Sequence, residues 1–340
     1  MRNKLTASPE KILLTGAGGF IGSHLVESLV REGHDVLAFV RYNSQGSTGW
    51  LGEMDGEVKG NFQVVHGDVR DRDQMIKVSQ GCSSIIHAAA LIGIPYSYSS
   101  IHSYVDTNTL GTLNVLTAAR QNGVRRLVQI STSEVYGVAS SFPISESHLT
   151  SARSPYAASK ISADSFATAF ASSFNLPVVI VRPFNTFGPR QSTRAVIPSI
   201  ITQLITGRNP LVLGNTTTAR DFTYVTDTVS GIIDALNATE GDGEIFNLGT
   251  GFEIQVEELV REIGSILNLA PNIQTSNNLL RPESSEINRL VSDNSKARSI
   301  LKWEPQFVGL EGLRKGIENT IQWFSNPKNL ERYAERSSVE

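Results

Sequence analysis

Short, unbroken apolar runs recur along roughly the first 180 residues: Ile12–Thr15, Val36–Val40, Phe62–Val65, Ile85–Ala88, Leu127–Ser131 and Val178–Val181. They are rich in β-branched residues and show little alternation of apolar and polar positions. That pattern predicts parallel strands covered by helices on both faces. Between the first two runs, Ile21, Leu25, Val26, Leu29 and Val30 recur at helical spacing, and Gly33 supplies a stop. Glu244–Leu248 reads as one more buried strand. The rhythm predicts an α/β fold, with a Rossmann-type doubly wound, mainly parallel sheet of seven strands.

The second half is less regular. Leu259, Ile263, Ile266 and Leu267 mark one amphipathic helix, and Leu310, Leu313, Ile317, Ile321 and Phe324 mark another. No Pro/Gly/Ser-rich linker divides the chain. A smaller C-terminal α/β lobe, inserted after the sixth strand, is therefore expected rather than an independent domain. The boundaries predicted are 11–182 plus 228–250 for a dinucleotide-binding domain and 183–227 plus 251–330 for a substrate lobe, with 1–10 and 331–340 as tails.

Composition narrows the class. The 340 residues are 40% hydrophobic, which is too apolar for a disordered chain. Thirty Lys+Arg against 33 Asp+Glu leave a net charge of -3, with no broad field for nucleic acid or a membrane surface. A single cysteine, Cys82, excludes an intramolecular disulfide and argues against a Cys-based metal site. With no apolar targeting stretch near Met1 and no run long enough to span a bilayer, a cytoplasmic protein is expected.

Candidate chemistry begins at Thr15-Gly16-Ala17-Gly18-Gly19-Phe20-Ile21-Gly22, between the first strand and the first helix. Gly16 suits the tight turn, Gly19 lets backbone approach a pyrophosphate, and Gly22 allows close helix–strand packing. The amides of Phe20 and Ile21 belong to a helix N-terminus that offers free N–H groups to an anion. The second strand ends Arg41-Tyr42-Asn43-Ser44, with no acid to hold a ribose 2′-hydroxyl. Arg41 therefore leans the cofactor toward NADP within a general NAD(P) expectation. Asp68, after the third strand, is a candidate acceptor for the adenine amino group.

Tyr156 and Lys160 stand four apart, on one face of a predicted helix. An ammonium near a phenol stabilises the phenolate and is expected to pull its pKa down from about 10. Ser131-Thr132-Ser133-Glu134 follows the fifth strand, at the end of the sheet where ligands bind. If that segment is extended, Thr132 and Glu134 share a face and Ser133 points away. A carboxylate there suits proton abstraction beside a carbonyl.

Taken together, Thr15–Gly22, Asp68, His87-Ala88-Ala89-Ala90, Asn108 with Gly111-Thr112, Ser131–Gly137, Tyr156/Lys160 and Arg182-Pro183-Phe184-Asn185 resemble the extended short-chain dehydrogenase/reductase family of sugar-nucleotide enzymes. The resemblance runs from about Lys11 to Phe324. Within it, Arg41–Ser44 with Gly49-Trp50-Leu51, Arg182–Arg190, Arg194–Pro198, Arg220-Asp221-Phe222 and Arg281-Pro282-Glu283 look most like nucleotide-sugar 4,6-dehydratases.

The resemblance implies a nicotinamide cofactor reduced and reoxidised in each turnover. It assigns to that cofactor Gly16, Gly19, Phe20, Ile21, Gly22, Arg41, Asn43, Ser44, Asp68, Val69, Ala88, Ala89, Ala90 and Asn108, with Tyr156 and Lys160. Thr132, Ser133 and Glu134 join those two as catalytic candidates. Asn185, Arg220 and Arg281 match the positions that hold the substrate diphosphate, with Arg194 close by or reaching across a dimer. The partners implied are a nucleotide-diphosphate sugar and a second copy of the chain. Thymidine-linked glucose dehydratases carry Thr-Asp-Glu where this chain has Thr132-Ser133-Glu134, so the acid for the C6 hydroxyl is open. UDP-glucuronate decarboxylases share the Thr-Ser-Glu triplet, and a 4-epimerase needs only the Tyr and Lys. A non-catalytic NAD(P) sensor is disfavoured by the intact Tyr156, Lys160 and Glu134.

Overall fold

The computed structural model describes residues 9–337. Six parallel strands arise by residue 183: β1 (Lys11–Thr15), β2 (Asp35–Arg41), β3 (Phe62–Gly67), β4 (Ser84–His87), β5 (Arg126–Ile130) and β6 (Val178–Pro183). Then come β7 (Asn185–Phe187), β8 (Leu211–Leu213), β9 (Ala219–Tyr224), β10 (Ile245–Leu248), β11 (Glu253–Gln255), β12 (Ile273–Thr275) and β13 (Arg289–Leu290). The main sheet has seven strands in the order β10-β6-β5-β4-β1-β2-β3, all parallel. Its central strands β4, β5 and β6 are buried along their whole length, which is why they read as unbroken apolar runs.

Helices cover both faces. Leu25, Val26 and Leu29 of the helix Phe20–Arg31 pack on one side, together with Ile232 and Ile233 of Val225–Asn237. Val115, Leu116 and Ala119 of Gly111–Asn122 and Ala167 of Pro155–Phe174 pack on the other. The strand order reverses between β1 and β4, so a crevice opens at their carboxyl ends.

After β6 the chain builds a smaller sheet. β9 is its axis, antiparallel to β11 and parallel to β13 and β7, while β8 and β12 form a separate pair. Asp221, fully buried on β9, accepts from Thr250 and Gly251 at 2.9 Å and from Ser292 at 3.1 Å, pinning three lobe segments together. The two sheets share one continuous core: Val181, Phe187, Phe222, Val225 and Ile317 belong to the same apolar cluster. The loop after β7 also grips the first helix. His24 Nε2–H donates to Pro189 O at 3.1 Å, and Arg190 pairs with Glu27 at 2.7 Å.

Residues 331–337, expected as part of a tail, instead continue the helix Pro327–Ser337. The cause is an aromatic cluster. Tyr333 is buried against Trp50, Trp323 and Phe324, with ring centroids at 6.0, 6.1 and 5.2 Å, and Arg332 pairs with Glu53. Of the expected N-terminal tail, Glu10 is held by Arg125 and Ser84, each at 3.0 Å. Residues 1–8 and 338–340 lie outside the described residues.

Candidate active site

The glycine turn sits at the switch point. Gly16 has φ +71°, and a Cβ there would lie 2.7 Å from Ala89 N and 2.8 Å from Ala88 C. Only glycine lets β1 turn this close to the end of β4. A Cβ on Gly22 would fall 2.1 Å from Gly16 O, so the helix can begin only because that position is bare. Gly19 caps the helix without a side chain, which leaves the first-turn amides of Phe20, Ile21 and Gly22 for a ligand. Gly18, given no role above, proves equally constrained. A Cβ there would meet Thr48 O at 2.5 Å, and its carbonyl accepts from Trp50 N at 3.0 Å. These features fit a dinucleotide pyrophosphate cradled by backbone.

A buried chain of hydrogen bonds supports the turn. His87 Nδ1 lies 2.7 Å from Thr15 Oγ1, its register partner on β1, and His87 Nε2 lies 3.1 Å from Thr112 Oγ1. Thr112 donates its own proton to Asn108 O at 2.6 Å, so it accepts from His87 Nε2–H. His87 Nδ1 then accepts from Thr15, which in turn accepts from Ala89 N at 3.2 Å. Burial and the nearby Lys160 charge push the His87 pKa down to about 3, so the ring is neutral and its tautomer is set. Asn108 extends the network, bonding Leu91 N and O at 2.8 and 2.9 Å and Ser159 Oγ at 2.9 Å.

Thr132, Ser133 and Glu134 do not continue as a strand. Ser133–Tyr136 closes into a single 3-10 turn, capped by Thr132 Oγ1 accepting from Glu134 N at 3.2 Å. Capping outcompetes extension because Thr132 offers the freed amide an immediate acceptor. The turn buries Ser133 and leaves the Glu134 residue only 8% exposed. Tyr156 and Lys160 project from Pro155–Phe174 on the inner face as expected, and both are buried.

The Tyr156 phenol departs from expectation. Its pKa is raised, chiefly by burial, with the Glu134 charge adding to the rise and a Thr132 hydrogen bond opposing it. Lys160 is directed elsewhere: its Nζ donates to Ile130 O at 2.7 Å, and burial lowers its pKa to about 8.

The model of the family described as GDP-mannose 4,6 dehydratase matches residues 13–316. The chain belongs to the GDP-mannose 4,6-dehydratase family. These are extended short-chain dehydrogenases/reductases. The chain is 31% identical over 321 residues to a UDP-glucose 4-epimerase of Mycolicibacterium smegmatis, covering 93% of this chain and 99% of that one. It is 30% identical over 331 residues to a UDP-N-acetyl-alpha-D-glucosaminuronate decarboxylase of Bacillus cytotoxicus, covering 94% and 99%. The NAD-bound structure of a dTDP-glucose 4,6-dehydratase, DesIV of Streptomyces venezuelae, superposes with a TM-score of 0.84 at 29% identity, covering 94% and 98%. The family thus joins dehydratases, epimerases and decarboxylases on one scaffold, and enzymes of this kind use NAD.

In this member of the family, the lobe side of the site is lined by cations. Arg220, the second residue of β9 and buried, donates to Ala219 O at 2.9 Å and lies 3.7 Å from Glu286. Arg281 stands 3.5 Å from Glu134 Oε2, so the two side chains face one another. Asn185, on β7 in register with Phe222, keeps a buried Oδ1 without a hydrogen-bond partner. Arg194 is exposed, near enough to Tyr104 for its charge to be felt there.

At the opposite end, Arg41, Tyr42, Gly67, Asp68 and Arg70 line an open cavity of about 390 Å³. Asp68 is engaged by Arg70, whose Nε and Nη2 reach its two oxygens at 2.9 and 2.6 Å and hold its carboxyl below the usual range. Asn43 folds its own loop, accepting from Ser47 N at 2.9 Å and donating to Ser47 O at 2.8 Å, with Ser44 exposed beside it. Val69 is buried under Gly111, and its carbonyl accepts from Asn114 at 3.0 Å. Ala88, Ala89 and Ala90 stay partly exposed next to the glycine turn. Among the described residues no cluster of metal-ligating side chains occurs, and no helix is long and apolar enough to cross a membrane.

Asp164 escaped the sequence reading. It stands one turn beyond Lys160 in Tyr156-x-x-x-Lys160-x-x-x-Asp164, and an acid four residues after a buried lysine is the signal that marks it. Arg182 Nε and Nη2 bind its Oδ2 at 3.1 and 2.9 Å.

Proposed function

We propose that the chain is a nucleotide-sugar 4,6-dehydratase that oxidises the sugar at C4, eliminates water across C5 and C6, and releases a 4-keto-6-deoxy sugar nucleotide. The observation that carries this reading is the buried Glu134 carboxylate, whose charge bears on the Tyr156 phenol. An epimerase has no use for a carboxylate there.

Residues 11–182 with 228–250 would hold NAD(P), and 183–227 with 251–330 the nucleotide sugar. Bound NAD(P) would accept hydride from C4 and later return it to C6. In its ionised form, which burial and the Glu134 charge oppose, Tyr156 Oη would take the proton from the C4 hydroxyl, with Thr132 Oγ1 orienting that oxygen. The new 4-keto group acidifies C5–H, and Glu134 removes the C5 proton. Glu134 then passes that proton to the departing C6 hydroxyl, because Ser133 is a poorer acid than the Asp of thymidine-linked enzymes. A proton from solvent enters at C5 in place of the one that left with water, and Tyr156 gives up the proton it gained, so the net change is the loss of one water. Asn185 and Arg220 would hold the diphosphate through amide and guanidinium donors. Relatives solved with NAD support the nicotinamide cofactor, and Arg41 favours the phosphorylated form. Local likeness at Arg41–Ser44, Arg182–Arg190 and Arg281–Glu283 supports GDP-N-acetylglucosamine, the substrate of the dehydratase of legionaminic acid biosynthesis, as the first compound to try.

Arg281 favours a second reading. A guanidinium beside Glu134 would also pair with a C5 carboxylate, as a UDP-glucuronate decarboxylase requires.

The test is a panel of nucleotide hexoses and uronates, each incubated with NAD and with NADP. A 4-keto-6-deoxy product from a hexose supports the dehydratase; carbon dioxide from a uronate overturns it. Glu134→Gln is expected to retain C4 oxidation and to slow product formation by at least 10²-fold, on the order expected for a lost general base. Near wild-type product formation would remove Glu134 from the role of C5 base.

A further inference from the structure

We propose that Tyr98 is a positioning residue, which latches the segment 281–286 across the crevice and so holds the Arg281 guanidinium in place for an anionic group of the substrate. Its functional side rests on the reading of the ligand as a sugar nucleotide, whose diphosphate Arg281 would meet. The latch itself is a contact of the protein with itself.

Tyr98 belongs to Ile94–Ser99, the short helix that follows β4. That helix is seated firmly on the first domain. Asn108 bonds both the N–H and the carbonyl of Leu91, at 2.8 and 2.9 Å, and the Tyr104 hydroxyl donates to Gly93 O. The Tyr98 ring packs against the cluster of Ile94, Tyr104 and Tyr156, on the redox side of the crevice. Its hydroxyl points to the other side. Tyr98 Oη lies 3.0 Å from Ser285 Oγ, which belongs to the lobe and stands 187 residues further along the chain. Ser285 donates its own proton to Pro282 O at 2.8 Å, so Tyr98 is the donor. Ser285 is 8% exposed and Tyr98 is half-buried, so water competes poorly for this bond.

The gripped segment is anchored at its far end. Ile287 is buried with Val135, Tyr136 and Leu290, and Tyr136 is held in turn, donating to Asn247 on β10 at 2.7 Å. Glu286 stands 3.7 Å from Arg220. Near its start, Leu279 and Leu280 are exposed. Arg281 lies on this more open side. Its 3.5 Å approach to Glu134 is longer than the about 2.9 Å of a firm charge-assisted bond. The turn Pro282–Ser285 carries the grip of Tyr98 to it. Ser285 N and Oγ both donate to Pro282 O at 2.8 Å, and Pro282 directly follows Arg281. A neutral hydrogen bond thus pre-organises a cation, which lowers the ordering cost of binding an anion there.

The test uses Tyr98→Phe, which keeps the ring and its packing and removes the hydroxyl. Calorimetry on the full-length protein with NAD present measures the affinity for GDP, UDP and dTDP. For the tightest of the three, Tyr98→Phe should weaken binding about fivefold, the scale of one net hydrogen bond. In an Arg281→Ala background the same change should alter affinity less than about twofold, because the two residues act as a unit. A folded Tyr98→Phe protein that binds like wild type overturns the proposal, and an equal fivefold loss in the Arg281→Ala background does so too. With the nucleotide sugar that turns over, Tyr98→Phe should raise KM about fivefold and change kcat less than about twofold, since a grip on the diphosphate is uniform along the reaction. A fall in kcat at constant KM would place the effect at Tyr156 instead and overturn the positioning role.

Amide hydrogen exchange without nucleotide separates the latch from the functional reading. The Ser285 and Glu286 amides donate to Pro282 O and Glu283 O, and both should exchange about fivefold faster in Tyr98→Phe. Unchanged exchange refutes the latch. If exchange rises but no nucleoside diphosphate binds wild type, the latch stands and the sugar-nucleotide reading beneath it falls.

Discussion

His87 and His24 show how individual side chains here trade charge for position. Burial lowers their pKa values to about 3 and about 4, from an unperturbed 6.5. Above about 6.5 neither the folded nor the unfolded chain protonates them, so they add no pH dependence. Below that value the unfolded chain binds protons that the folded one refuses, and each histidine makes stability fall with pH. Buried Asp221 and Asp227, whose values burial raises, work in the opposite direction. The histidine share is therefore read by difference. Between pH 7 and 5, urea unfolding should show wild type losing about 2 kcal/mol more than His24→Gln, from about 1.4 kcal/mol per unit of pH below 6.5. Equal losses would mean that His24 is solvated in the folded protein. Identity and spacing made Tyr156, Lys160, Thr132 and Glu134 legible as candidates. The direction of the Tyr156 shift was not legible, because it depends on which charges reach the phenol once it is buried.

At the scale of elements, the main-sheet strands and the helices Phe20–Arg31, Val256–Ile266 and Gly309–Phe324 were readable, since buried strands and amphipathic helices write their burial into the sequence. The turn Ser133–Tyr136 was not, because Thr132 can equally extend or cap. The terminal helix was missed for another reason. Residues 327–337 are mostly polar, and Tyr333 is their one aromatic and packs against the core. That residue has a reach beyond its own helix. It packs on Trp50, whose backbone N–H holds Gly18 O in the glycine turn at 3.0 Å. Tyr333→Ala should lower the unfolding free energy by about 3 kcal/mol, as for large-to-small changes at buried aromatics, and should also weaken dinucleotide binding. Thermal melts with a cofactor titration separate the two effects. Unchanged cofactor affinity would show that the terminal helix stabilises the fold without bracing the turn.

For the molecule as a whole, the face formed by Ile101–Tyr104, Val105–Leu110 and Pro155–Phe174, which pack on one another, carries several exposed apolar residues. Ile101 and Leu110 are 51% and 46% exposed, and Phe166 on Pro155–Phe174 is also exposed. We propose that this face pairs with a second copy, since apolar surface of this kind seldom stays open to water. Light scattering should give twice the chain mass for wild type and the single-chain mass for Ile101→Glu/Phe166→Glu; a wild-type monomer at every concentration would refute the pairing. The lobe was the least legible part, because β9 draws partners from β7, β11 and β13, and no local pattern announces such distant pairing. The seventh strand of the main sheet has the same character. β10 covers the open side of β6 but is made only after the whole segment carrying β7, β8 and β9. On the ribosome, β6 therefore waits as an unpaired apolar edge, and Tyr136 waits for the Asn247 that will accept its proton. The nascent chain already holds a complete glycine turn at that stage while offering a sheet edge to any other strand nearby. The risk of wrong pairing is greatest in that interval of synthesis, when the strands that flank the crevice, β1 and β4, exist and the last strand of the main sheet does not.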